Sequence, residues 1–175
     1  MSCFVLGLIA FLGMHSVSIA APGWRDATAA RIGENSWKGL YSLVSIAGLA
    51  LLIWGYGVAR ADPMVLYTPP AWTRWLSAIL MAPVFPLLLA TYVPGRIKAA
   101  LQHPMLAAVK FWALAHLIAN GTLPDVLLFG GFLAWAIADR ISLKRRTQRP
   151  IRTAPVTGWN DAIAVVVGLA LYFVV

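Results

Sequence analysis

Residues 39–59 read GLYSLVSIAGLALLIWGYGVA, a run of 21 residues without a single charged side chain. An α-helix needs about 20 mostly apolar residues to cross the hydrocarbon core of a bilayer. The length and composition of this run therefore predict a transmembrane helix. Five further apolar runs lie along the chain, at residues 2–21, 75–93, 105–118, 123–141 and 159–175.

The overall composition agrees with these runs. Of the 175 residues, 61% are hydrophobic and only 11% are charged, whereas soluble domains average about 25% charged residues. A soluble domain of this size has no means of burying so much apolar surface, but a bilayer accommodates it. We therefore predict an all-α fold, a polytopic membrane helical bundle of about six transmembrane helices, formed by residues 1–175 as a single domain.

Two of the runs have distinctive features. The first run has no preceding positive charge and contains His15, which favours a retained span over a cleaved signal peptide. The third run contains Pro83 and Pro86. Because each proline removes a backbone hydrogen bond, we expect a kink in that helix.

The basic residues are distributed unevenly between the six runs. The second and fourth connections hold little more than Arg60 and Arg74. The positive-inside rule therefore predicts a multi-pass membrane protein whose odd connections lie in the cytoplasm and whose termini both lie on the other side. The net charge of +8 is explained by these basic connections, which orient the protein in the membrane. We therefore expect no nucleic-acid partner. The basic residues of the odd connections are Arg25, Arg31, Lys38, Arg96, Lys98, Lys144, Arg145, Arg146, Arg149 and Arg152.

The chain has three histidines, and all three lie in or at the edge of an apolar run. Polar residues inside a bilayer are costly unless they are paired or functional. In the predicted topology, His15 lies about 9 Å from the cytoplasmic end of the first span, and His103 begins the fourth span at that same side. His116 lies roughly 20 Å further along the fourth helix. His15 and His103 therefore share the cytoplasmic half, while His116 lies toward the outer face.

Two neutral imidazoles that face each other across an apolar bundle suit the axial positions of a haem iron. The shared depth of His15 and His103 makes them the candidate metal ligands. The competing interpretation is that each histidine makes a hydrogen-bonded contact between helices. The sequence leaves both interpretations open.

Lys110 follows His103 by two helical turns and lies on nearly the same face. A lysine in mid-span needs a partner, and three are conceivable: a haem propionate, Asp139, or the membrane surface reached by snorkelling. We favour a structural or cofactor-pairing role over a catalytic one, because no cofactor motif surrounds Lys110.

The usual signatures of soluble enzymes are missing from the sequence. It has no phosphate-binding glycine loop, nucleophile elbow or His-Glu-x-x-His pair. Its single cysteine, Cys3, excludes an intrachain disulfide and a cysteine-based metal site. None of the six acidic residues is expected in mid-span, which argues against a proton-coupled transporter.

Several short motifs, taken together in their order and spacing, resemble the NnrU family of membrane proteins. The resemblance covers roughly residues 1–146. The family is associated with denitrification and nitric oxide reductase expression, and it is similar to 15-cis-zeta-carotene isomerase, a membrane haem b protein. The motifs are His15-Ser16, Arg25, Arg31-Ile32-Gly33-Glu34, Tyr41-Ser42, Ser45, His103-Pro104, Trp112 to Leu117, Asn120-Gly121, Phe129-Gly130 and Asp139-Arg140.

This resemblance implies a haem b held by His15 and His103, and it suggests that His116 lines the same site. With Lys110, which its own position makes a candidate partner of a propionate, these are the predicted cofactor-binding residues. It implies a location in the bacterial inner membrane, with periplasmic termini. It also implies a role in redox chemistry, in denitrification or nitric oxide-linked metabolism, or in isomerisation of an apolar polyene that enters from the lipid. The alternative is a non-catalytic membrane accessory factor that assists maturation or expression of a partner such as nitric oxide reductase. Whether the chain is an enzyme stays open. Its expected partners are the lipid bilayer, an apolar small molecule and another membrane protein.

Overall fold

The structure is a computed structural model that describes residues 1–146 and 153–174. Within these ranges the chain forms nine α-helices and no strands, apart from one isolated bridge between Val65 and Thr122. The predicted orientation signals Arg149 and Arg152, and the last residue of the sixth predicted span, Val175, lie outside the described residues. The helices are α1 (Ser2–Ala20), α2 (Pro22–Ile32), α3 (Glu34–Ala59), α4 (Thr73–Met81), α5 (Val84–Tyr92), α6 (Arg96–Leu101), α7 (Pro104–Ala119), α8 (Leu123–Leu143) and α9 (Asn160–Val174).

Each predicted span corresponds to a helix or a pair of helices. Among the described residues, four segments are long and apolar enough to cross a membrane, namely α1, α3, α8 and the pair α4–α5. The apolar helices α7 and α9 have 16 and 15 residues, about 24 and 22 Å at 1.5 Å per residue, which is shorter than the ~30 Å hydrocarbon core. The all-helical membrane fold is confirmed, with four segments long enough to span and two shorter apolar helices among the described residues. The count of about six transmembrane helices stays a prediction.

The outer surface of the bundle is apolar. Leu43, Ile46 and Ile53 lie along one face of α3 and are exposed, and Val166 and Phe173 are exposed on α9. Contiguous apolar surface of this kind is unfavourable in water. Lipid chains solvate it, so these faces are suited to contact with the bilayer.

The third predicted span is interrupted at its first proline. α4 ends at Met81 and α5 begins at Val84, so Ala82 and Pro83 separate two helical segments. Pro83 has no N–H to donate to the preceding turn. The helix is thus interrupted at Pro83, although Ala82 and Pro83 keep a right-handed helical backbone, and the predicted kink stays a prediction. Pro86 lies within α5, where Gly168 of α9 packs against its backbone.

Two predicted connections contain short helices of their own. The polar stretch 22–38 forms α2 and the first turn of α3, which begins at Glu34 rather than at residue 39. Gly33 separates the two helices with a φ of +91°, a conformation that glycine adopts without steric cost. The stretch 94–104 forms α6, and a turn at Gln102 and His103 separates α6 from α7.

The main contacts between helices can be followed from α3 to α9. α3 packs on α1, α1 on α8, α8 on α7, and α7 on both α4 and α5, while α9 packs on α5. α8 therefore lies between α1, which carries His15, and α7, which begins after His103. This placement brings both histidines next to α8.

The α1–α3 pair is antiparallel and unusually close. A Cβ atom at Gly55 would overlap the backbone of Phe4, and one at Gly7 would overlap the backbone of Leu52. Small residues at helix interfaces allow such approach in membranes, where van der Waals packing replaces the hydrophobic effect as the driving force. The two helices therefore depend on glycine at their interface.

The connection between α3 and α4 is tied to the turn between α7 and α8. The N–H groups of Leu66 and Tyr67 donate to the carbonyl oxygen of Gly121 at 2.8 and 3.1 Å, and Leu123 N–H donates to that of Met64 at 2.8 Å. A Cβ atom at Gly121 would overlap the carbonyl group of Tyr67. The attachment therefore requires glycine at position 121.

Gly121→Ala should lower the free energy of unfolding by about 2 kcal/mol, because the new methyl group must push this connection away. The matched control is Gly158→Ala, since a Cβ atom there meets no described residue within 4 Å. Thermal unfolding of both variants in detergent, followed by tryptophan fluorescence, measures the difference. Equal midpoints for the two variants would contradict the prediction.

Candidate functional site

α8 carries a buried aspartate near each of its ends. Asp125 lies in its first turn and is 2% exposed, and Asp139 lies in its last turns and is 9% exposed. The two are about 21 Å apart along the helix axis at 1.5 Å per residue. We name the two ends of the bundle the Asp125 end and the Asp139 end. Buried carboxyl groups require hydrogen-bonding or charged partners. We therefore describe each end by the residues that surround its aspartate.

The Asp139 end contains a cavity of about 360 Å³. This volume is in the range of small-molecule sites. Its walls come from α1, α2, α3, α8 and the residues that follow α8. They combine aromatic rings with basic side chains. The lining residues are His15, Ser18, Arg25, Trp37, Lys38, Tyr41, Trp135, Asp139 and Arg146.

The ring of His15 is held in a fixed orientation. Its Nδ1 lies 2.8 Å from the carbonyl oxygen of Phe11, one turn earlier in α1, and its ring centroid lies 5.3 Å from that of Tyr41 and 5.9 Å from that of Trp135. A carbonyl oxygen only accepts hydrogen bonds, so Nδ1 must donate. In the neutral imidazole the lone pair is then on Nε2.

His103 lies at the same end, directly before α7. Its Nε2 is buried and has no hydrogen-bond partner among the described residues. Burial, followed by the charge of Arg140, lowers the pKa of His103 below its usual value, which favours the neutral ring. Asp139 and Arg146 act electrostatically on His103 and also line the cavity with His15. His103 itself is not part of the cavity lining.

Two basic side chains at this end are more buried than residues that only set the orientation of the protein in the membrane need to be. The side chain of Arg25 is 11% exposed and pairs with Glu34 at 2.7 Å and Asp26 at 3.2 Å. The hydrogen bond to Glu34 is the main reason why the pKa of Arg25 is raised. Arg146 is 16% exposed and pairs with Asp139 at 2.5 Å. Asp139 is thus the partner of Arg146, and neither Lys110 nor Arg140 pairs with it in the described structure.

The four residues predicted for one cofactor site do not lie together. His15 and His103 share the Asp139 end, as their depths predict. His116 lies toward the Asp125 end, where its ring stacks on Phe129 with centroids 4.4 Å apart, and its Nδ1 is 3.3 Å from Asn120 Nδ2. Lys110 is half-buried in mid-helix, and its ammonium has no hydrogen bond or ion pair within residues 1–146 and 153–174.

The sequence was compared with known protein families. The family model described as NnrU protein matches residues 3–175, nearly the whole chain. The chain belongs to the NnrU family. No curated protein and no solved structure matched this NnrU protein. Family membership and the four apolar spans together identify it as a membrane protein of the NnrU type.

Sequence reasoning missed a polar cluster at the Asp125 end of this NnrU protein. Tyr56 donates a short hydrogen bond to Oδ1 of Asp125, and the Thr122 hydroxyl donates to Oδ2 at 2.6 Å. The guanidinium of Arg60 lies 5.5 Å from the centroid of the Tyr56 ring. The spacing of Thr122 and Asp125 before an apolar run is typical of a helix N-terminus. It was the one local signal for this cluster, whereas nothing near Tyr56 in the sequence indicated its partner.

Proposed function

We propose that this NnrU protein binds haem b in the bacterial inner membrane, with His15 and His103 as iron ligands at the Asp139 end. The observation that carries the proposal is the hydrogen bonding of the two imidazole rings. His103 Nε2 is buried without a partner among the described residues, and His15 is anchored through Nδ1. Metal-ligating histidines commonly donate their other ring N–H to a backbone carbonyl in this way.

The surrounding residues fit such a cofactor. The Tyr41 and Trp135 rings beside His15 supply apolar walls, and Arg25 and Arg146 supply groups that pair with carboxylates. Because His103 does not line the cavity, ligation of one iron by both rings requires side chains at this end to move. Ligation by His15 does not require such a movement.

The positions of the basic residues support a cytoplasmic location for the Asp139 end. Bound haem would supply redox or electronic assistance to the reaction. The protein's own residues would orient the cofactor and exclude water from it. The family association extends the proposal to nitric oxide-linked metabolism. The resemblance of the sequence motifs to 15-cis-zeta-carotene isomerase is the basis for also proposing isomerisation of an apolar polyene that enters from the lipid.

The test is an absorption spectrum of protein purified in mild detergent after expression with sufficient haem. We expect a Soret band in the wild type and its loss in His15→Ala. His103→Ala should lose the band or show the altered spectrum of a haem with one histidine ligand. His116→Ala is the matched control, because it removes the same side chain toward the other end of the bundle, and it should keep the band.

Absence of a Soret band in the correctly folded wild type would contradict the proposal. Normal function of a triple-histidine variant that still co-purifies with a partner membrane protein would favour the non-catalytic accessory role instead. Size-exclusion chromatography of each variant establishes that it is folded.

A further inference from the structure

Two guanidinium groups are withdrawn from water at the wall of the cavity. Arg25 and Arg146 are 11% and 16% exposed, whereas the partners of Arg25, Asp26 and Glu34, are 58% and 47% exposed. A buried cation is costly unless nearby anions compensate for its lost hydration. For Arg25 the hydrogen bond to Glu34 at 2.7 Å supplies this compensation, so the unmet capacity lies mainly with Arg146.

Arg146 has hydrogen-bonding capacity that no residue in the described part of the chain uses. Its Nη2 donates to Asp139 Oδ1 at 2.5 Å, but its Nε is buried and has no hydrogen-bond partner among the described residues. Unsatisfied buried donors are rare and call for an explanation, which includes a missing ligand. The flat guanidinium fork matches the geometry of a carboxylate.

The balance of charge in the cavity also favours an anion. Three cationic residues, Arg25, Lys38 and Arg146, face a single carboxyl group, that of Asp139. The ion pair of Lys38 with Glu34 is long, at 3.9 Å, and the Lys38 side chain is 67% exposed, so this pair contributes little. The ammonium of Lys38 is therefore free to turn toward a ligand.

The remaining walls indicate what kind of anion fits. Trp37, Tyr41 and Trp135 line the same cavity as the cations. A ligand that matches both surfaces has a flat apolar body and carboxylate groups at its edge.

We infer that Arg146, together with Arg25 and Lys38, binds the propionate carboxylates of haem b. This inference rests on the proposed function and assigns these three residues a role in cofactor affinity. None of them is an iron ligand, so their contribution is separable from that of the histidines.

The experiment compares haem b with its dimethyl ester, in which both carboxylates are neutral. Haem-free protein in detergent is titrated with each compound, and binding is followed by the Soret band and by quenching of tryptophan fluorescence. We expect the wild type to bind haem b about tenfold or more tightly than the ester, because hydrogen bonds between charged groups exceed neutral ones by that order.

The variants Arg146→Gln and Lys38→Gln should weaken binding of haem b and leave the affinity for the ester unchanged. We expect about a tenfold loss for Arg146→Gln and about threefold for the more exposed Lys38. Arg145→Gln is the matched control, since Arg145 is the exposed neighbour of Arg146 and does not line the cavity. It should keep the preference for haem b.

The outcomes separate the two proposals. If the folded wild type binds neither compound, the proposed function fails. If it binds both with equal affinity, or if Arg146→Gln and Lys38→Gln both retain the full preference, this inference is overturned while haem binding stands. Unchanged binding of the ester shows that a variant has kept its fold, and the exposed Lys38 provides a substitution that does not disturb the interior.

Discussion

Gly55→Ala should destabilise the protein by about 3 kcal/mol, although alanine forms helices better than glycine. The reason is the close contact between α1 and α3. A Cβ atom at position 55 would overlap the backbone nitrogen and Cα of Phe4. Backbone atoms cannot turn away as a flexible side chain can, so the two helices must separate. Separation disrupts the buried cluster around Phe4, which includes Leu52 and Phe129.

The matched control for this prediction is Gly57→Ala. Gly57 lies in the same helix two residues later, and a Cβ atom there meets nothing within 4 Å. The same substitution should then be neutral or stabilising by up to about 1 kcal/mol, the difference in helix propensity. Unfolding in increasing fractions of a denaturing detergent, followed by circular dichroism and tryptophan fluorescence, measures both variants. Similar midpoints for Gly55→Ala and Gly57→Ala would show that the α1–α3 contact is looser than described.

Asp125→Ala should also cost about 3 kcal/mol. Asp125 accepts hydrogen bonds from the hydroxyl groups of Tyr56 and Thr122, one on each carboxyl oxygen. Removal of the carboxyl group leaves both hydroxyl groups without this acceptor in a place that water reaches poorly. It also separates α8 from α3, because the Tyr56–Asp125 bond joins residues of these two helices.

The control for this second prediction is Asp62→Ala. Asp62 is an exposed aspartate in the connection after α3, so its removal should change the free energy of unfolding by less than about 0.5 kcal/mol. Tyr56→Phe removes only the hydroxyl group that donates to Asp125. It should therefore lower the free energy of unfolding by part of the amount that Asp125→Ala does. An Asp125→Ala variant as stable as Asp62→Ala would mean that this hydrogen-bonded cluster does not hold the helices together.

The positions of the helices could be predicted from the sequence because they depend on the length and composition of single segments. The run at residues 39–59 became the greater part of α3, and Pro83 interrupts the third span where its missing N–H requires. The relative depths of His15, His103 and His116 also followed, since distance along a helix is proportional to residue number. Those depths correctly separated His116 from the other two histidines. The family resemblance, in contrast, grouped all three in one site.

The partners of the charged residues were not readable in this way. Arg25 and Arg146 look like orientation signals in the sequence, and only the packing of α1, α2, α3 and α8 around a cavity shows that both are buried. Asp139 was one of three conceivable partners of Lys110 on the basis of position, but it pairs with Arg146 after the chain turns at the end of α8.

The sequence alone determined which segments are helical, that their solvent is lipid, and at which end of the bundle each histidine lies. These properties follow from the composition and length of single segments. The tertiary structure decided that α8 lies between α1 and α7, that Gly55 meets Phe4, and that Tyr56 meets Asp125. Such contacts join residues far apart in the chain, and they depend on which helices are neighbours. Apolar helices of similar length carry little information about their neighbours, because lipid solvates all of their outer faces equally well.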